Sequence, residues 1–447
     1  MKPRASEFFT ELLENRTAPA KVALIVKGLF LFVAAICLLA IATGPGLSDS
    51  EGIFYRSVKA FVERPDIKID QLSAYKIKVY LFSFPYRLGA STGQGRQVLL
   101  MRGLGLIWLG LALWLGYQAA KRVARNKNLV GLGTLAFLAT NNRLLFSGVT
   151  VGGDAWLWFF FSFLMYELVE VAAKGALLDV LISLGLIFIL SKFDPLLAEK
   201  VALPILFLVI VATLIAANAA QIAEGWRGLA TGTRAAIGGG IIAAFILAQR
   251  VSLPALLLSA PTSLFVSLIN FGAWPAVFKQ LVAFFSDNPN LTPGFAWVKT
   301  GMSAILLLTS LAGAAGLVWL AYLGISERLR VIDAGTASPS EDATAAGSWR
   351  ITLIKPDKSI GADLNLPALI GLAFFPLTVF AAYNTYQLSF LLGEVGIYTL
   401  VLPLALLLSV GLQEIILAGK STRAIALLPA TLLTINTAAL LMTVLWR

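Results

Sequence analysis

The chain is 447 residues long, 58% hydrophobic and only 13% charged, with a mean hydropathy of +0.83 and a formal net charge of +11. Soluble domains carry about 25% charged residues, so this composition excludes an ordinary soluble protein and points to an integral membrane protein. A single cysteine, Cys37, and no histidine exclude an internal disulfide, a multi-cysteine zinc site and imidazole chemistry. The basic residues lie at the ends of apolar runs, which reads as anchoring and orientation rather than nucleic-acid binding.

Residues 1–21 form a basic, amphipathic segment whose Phe8, Phe9, Leu12 and Leu13 suit a cytoplasmic membrane interface. The first apolar run, Val22 to Thr43, is too long for a signal-peptide core despite Ala40-Ile41-Ala42, and reads as an uncleaved span. With a span needing roughly 20 apolar residues, about eleven candidates follow one another. They begin near Val22, Val98, Leu129, Ala155, Ala176 and Val201, then near Ala235, Lys299, Leu364, Val395 and Ala424. Lys121, Arg122, Arg125 and Lys127 crowd one connection, whereas Val151-Gly152-Gly153-Asp154 holds no basic residue. The positive-inside rule then places the N-terminus in the cytoplasm and both Asp49 and Asp154 on the extracytoplasmic face. A multi-pass protein of a bacterial inner membrane is the expectation.

Two outer connections are too long to be turns. Residues 44–97 contain Phe54, Val58, Phe61 and Val62 at helical spacing with Arg56, Lys59 and Glu63 opposite, a pattern for a helix along the bilayer surface. A tyrosine-rich apolar piece, Tyr75 to Tyr86, follows it. Residues 252–297 alternate prolines with apolar pieces too short to span, as surface or re-entrant helices do. Together these two outer segments are expected to roof a cavity between the spans. Residues 325–363, expected in the cytoplasm, pair two alternating stretches around a low-complexity piece, a pattern for a small hairpin.

Asp49-Ser50-Glu51 stands where the chain emerges from its first span. A carboxylate beside hydrocarbon is costly and calls for a reason. Val79-Tyr80-Leu81, then Tyr86-Arg87-Leu88-Gly89-Ala90-Ser91 and Arg96, lead into the second span. Asp154 precedes an aromatic span, and Ser191-Lys192-Phe193-Asp194-Pro195 closes the next run.

This layout over roughly residues 20–200 resembles the GT-C glycosyltransferases, in particular the protein-mannosyltransferase and aminoarabinose-transferase branch. The chain departs from that branch in its D-x-E, where an adjacent D-E is usual, and in lacking a proline-rich or histidine-containing stretch before the tyrosine piece. The resemblance implies an all-α polytopic fold. Residues 22–200 would be the transferase module, and 201–447 a C-terminal transmembrane region. It also implies sugar transfer from a polyprenyl-phosphate donor to a glycan, lipid or protein acceptor outside the cytoplasm. Asp49 would be the general base, with Glu51 positioning it or the acceptor. Asp154, Arg87, Arg96, Lys192, Arg250 and Lys279 are the expected substrate-binding residues, the cations serving the donor phosphate. No metal is required by this chemistry; a divalent ion at Asp49 and Asp154 is the alternative.

Each feature also has a structural reading. Ser48 and Glu51 make a capping box, and Asp154 can cap the span it precedes. Arg96, Lys192 and Arg250 can snorkel to headgroups, whereas Arg102, deeper in the second span, should face protein or a cavity. A transporter or flippase is the rival function, recruiting Arg102, Asn141-Asn142-Arg143 and Gln413-Glu414 as path residues.

Overall fold

The computed structural model describes residues 31–39, 49–64, 73–124, 127–193, 198–217, 296–328, 368–373, 394–418 and 427–445, with a few isolated positions besides. Within them every regular element is a helix. A helical stretch at 31–39 precedes α1 (Asp49–Glu63) and α2 (Ser73–Leu88). The long α3 (Gln94–Val123) is followed by α4 (Lys127–Ala139), α5 (Asn142–Val149), α6 (Ala155–Lys174), α7 (Leu177–Phe193) and α8 (Leu203–Ala217). Further on come α9 (Ala296–Arg328), α10 (Glu394–Ala418) and α11 (Leu427–Leu445).

Two of these helices, α3 and α6, are long and apolar enough to cross a membrane. They run side by side in the same direction. Trp108 of α3 meets Phe159 of α6 at a ring-centroid distance of 4.9 Å, and Arg122 near the end of α3 pairs with Glu170 near the end of α6. Their burial differs: 83% of the apolar window of α6 lies inside the protein against 39% for α3, which makes α6 the axis of the bundle. Exposed faces of α3, α7 and α9 carry Ile107, Trp114, Leu181, Phe188, Leu311 and Val318. Apolar stripes of that extent are rare on a water-soluble surface and suit contact with hydrocarbon, so the fold is compatible with a helical membrane protein.

The return from α3 to α6 differs from the sequence expectation. The single span predicted from Leu129 is two helices, broken at Thr140 and Asn141. Asn141 causes the break locally: its side chain accepts from the Leu144 amide at 3.1 Å and caps α5. Across the bundle, the Asn436 amide on α11 donates to the Ala139 carbonyl at 3.1 Å, satisfying backbone that the break leaves open.

Small residues bring α9 and α10 together. A β-carbon on Gly316 would lie 1.8 Å from the Gly411 carbonyl oxygen, so the backbones touch where no side chain fits. The predicted starts near Ala176, Val201, Lys299, Val395 and Ala424 coincide with α7 to α11. The start near Ala235 and most of the loops 252–297 and 325–363 lie outside the described residues.

Candidate active site

The helix that opens with Asp49 is amphipathic as its periodicity predicts. Phe54 and Val58 are buried, Phe61 and Val62 half-buried, and Arg56, Lys59 and Glu63 exposed. That apolar face is covered by α2, however, rather than left for a bilayer surface. Phe54 meets Phe82 edge-on at 5.4 Å, Tyr55 lies 5.6 Å from Tyr86, and Phe61 meets Tyr80 at 4.6 Å. Two phenols add polar ties. The Tyr55 hydroxyl donates to the Gln97 side-chain oxygen on α3, and the Tyr86 hydroxyl donates to Glu63 at 3.0 Å. Burial, reinforced by the Glu63 carboxylate as acceptor, pushes the Tyr86 phenol up to about 12, and burial also raises Tyr55.

Glu51 occupies the same face one turn before Tyr55, and it is enclosed: its side chain is 7% exposed and that of Arg102 is 9% exposed. Arg102 grips it with both arms of the guanidinium, Nε to Oε1 at 3.2 Å and Nη2 to Oε2 at 3.1 Å. The Val151 amide donates a third bond to Oε1 at 2.7 Å. One carboxylate therefore ties α1 to the third turn of α3 and to the turn before α6. That turn depends on Gly152, whose φ of +73° is left-handed and whose β-carbon would sit 2.3 Å from the Phe54 ring. Arg102 thus faces protein, as its depth in α3 requires.

Asp154 stands at the N-cap position of α6 but makes no capping bond with its side chain. It accepts instead from Lys78 of α2 at 2.8 Å, and Lys78 also lies 5.3 Å from the Phe54 ring centroid. Sequence reasoning left Lys78 unassigned, since nothing in its own helix marks a partner 76 residues away.

Among the other predicted site residues, Arg87 in the last turn of α2 and Arg96 in the first turn of α3 are exposed on either side of a short turn. Asp49 is the first residue of α1 and Lys192 lies in the last turn of α7; the side chains of both, and all of Arg250 and Lys279, lie outside the described residues. No group of three or more carboxylate or thiol side chains that could hold a metal ion occurs among the described residues. An apolar cleft between α6, α8 and residues 368–375, lined by Met165, Leu168, Val209 and Phe375 among others, includes none of the predicted site residues. No family model matches the chain, and no curated protein or solved structure matches it.

Proposed function

We propose that the chain is a polytopic membrane glycosyltransferase of the GT-C layout, with about eleven spans. It moves a sugar from a polyprenyl-phosphate donor to an acceptor on the extracytoplasmic face of a cell inner membrane. One observation carries the reading. The helix that opens with Asp49 is fastened by a buried carboxylate–guanidinium pair to α3 and to the turn before α6, the two described helices long and apolar enough to cross a membrane. A general base must be held within hydrogen-bond reach of the proton it removes, and a fixed helix start at a lipid–water boundary meets that need.

In this reading Asp49 takes the proton of the acceptor hydroxyl or amine as that group attacks the anomeric carbon. The bond from the sugar to the lipid phosphate breaks, and the phosphate leaves with the electron pair. Glu51 is a positioning residue, because its oxygens serve Arg102 and Val151. Arg87 and Arg96, exposed around one turn, are described candidates to receive the departing phosphate, with Lys192, Arg250 and Lys279 as further candidates. Asp154 already has a positive partner in Lys78, so a divalent ion there would have to displace a lysine.

The test is sugar transfer by the purified chain in nanodiscs supplied with polyprenyl-phosphate-linked sugar. Asp49→Asn should abolish transfer while leaving the melting temperature unchanged. Equal turnover by the two proteins would refute the assignment. Flux through proteoliposomes, with no transfer by the parent chain, would favour the transporter.

A further inference from the structure

At the opposite end of α6 lies a second ionic cluster with a different balance. Glu170 is paired with Arg122 at 2.8 Å and with Lys174 at 2.7 Å. Two more carboxylates share its surroundings: Glu167 of α6, 6% exposed, and Asp179 of α7, 9% exposed, lie within electrostatic range of one another. Among the described side chains, three carboxylates thus face two cations, leaving the cluster one positive charge short.

The helix connection fixes where the shortfall sits. Gly175, with φ +61°, ends α6 in a left-handed cap, and α7 starts at Leu177, so the two helices fold back as a tight hairpin. Ser183, eight residues past Gly175, comes level with Glu167, eight residues before it. Asp179, Ser183, Leu186 and Leu190 form the buried stripe of α7. One oxygen from each polar group, Oε2 of Glu167, Oδ2 of Asp179 and Oγ of Ser183, is buried with no hydrogen-bond partner. Ser183 is fully buried. Among the described side chains of the other helices against α6, no further cation fills the gap. Lys121 of α3 lies over the Tyr117 ring, α8 carries no charged side chain, and Glu414 of α10 accepts from Gln413.

Enclosed carboxylates without partners are costly unless a charge neutralises them. Three hard oxygens with one uncompensated negative charge suit a hard cation of single charge, and a divalent ion would overcompensate. We propose that Glu167, Asp179 and Ser183 form a binding site for one monovalent metal cation, sodium or potassium, between α6 and α7. It shares no residue with the proposed transferase site and stands or falls separately from it.

The full-length chain in nanodiscs tests this by thermal unfolding in sodium, potassium or choline chloride at equal ionic strength and neutral pH. Sodium or potassium should raise the melting temperature saturably above the choline value. Ser183→Ala, which keeps both charges, should raise the half-saturating concentration about tenfold. Asp179→Asn balances the cluster, so it should melt in choline at least as high as the parent and lose the cation response. Identical melting in all three salts would overturn the site, as would a metal response that survives both substitutions. Stabilisation by acid alone, indifferent to the cation, would assign the missing charge to a proton and overturn the metal site.

Discussion

The two ends of the α3–α6 pair solve the same problem, a carboxylate inside an apolar bundle, in opposite ways. At one end Glu51 is held by the Arg102 guanidinium and the Val151 amide, with both members of the ion pair buried. At the other, Glu170 draws on two cations that are each about half exposed, Arg122 at 49% and Lys174 at 50%. The first arrangement is saturated and rigid, suited to fixing a helix. The second is redundant for Glu170 and leaves Glu167 and Asp179 short of charge. Burial of both partners, rather than the number of ion pairs, decides which end holds the fold.

Breaking the saturated pair should have the largest effect. Arg102→Ala strands Glu51 inside the protein and should cost about 3–5 kcal/mol, measured by chemical unfolding in detergent. The double substitution Glu51→Leu with Arg102→Met should recover most of that loss, because an apolar pair carries no desolvation penalty. Recovery of stability without recovery of sugar transfer would separate the positioning role from the structural one.

The same end should show an alkaline weakness. With Tyr86 pushed from its ordinary 10 up to about 12, the fold favours the neutral phenol. Its contribution is whole below pH 10 and is lost as pH rises towards 12, by no more than about 3 kcal/mol. Tyr86→Phe should flatten that decline in a pH series of melting curves.

Gly152→Ala comes next. A left-handed backbone and a β-carbon against Phe54 should together cost about 1–3 kcal/mol and loosen the turn that presents the Val151 amide. Faster hydrogen exchange of that amide is the readout. The smallest loss belongs to the redundant end: Arg122→Ala leaves Lys174 on Glu170, so the change should stay near 1 kcal/mol or below. A loss as large as that of Arg102→Ala would remove the contrast between the two ends.

Much of the helical framework was readable from the residues alone. Composition specified helices, the spacing of Phe54, Val58, Phe61 and Val62 specified α1, and the aromatic run after Asp154 specified α6. The pairings were not readable. Glu51 and Arg102 are 51 residues apart, and Asp154 and Lys78 are 76 apart, so each depends on how α1 and α2 fold back over α3. The letters of a capping motif do not disclose the clamp of Glu51 on Arg102, which needs the packing of α1 against α3. Arg102 carried a signal, since an arginine two turns inside a span requires a countercharge. The break at Asn141 was not read, since one span was expected from Leu129, and the Asn436 amide that satisfies the Ala139 carbonyl there lies 297 residues further along the chain.

The initial rate of sugar transfer from a polyprenyl-phosphate donor, compared between the parent chain and Asp49→Asn at matched stability, tests the central claim most directly. Loss of a general base should lower that rate about 100-fold or more. A rate in Asp49→Asn equal to the parent's would contradict the account.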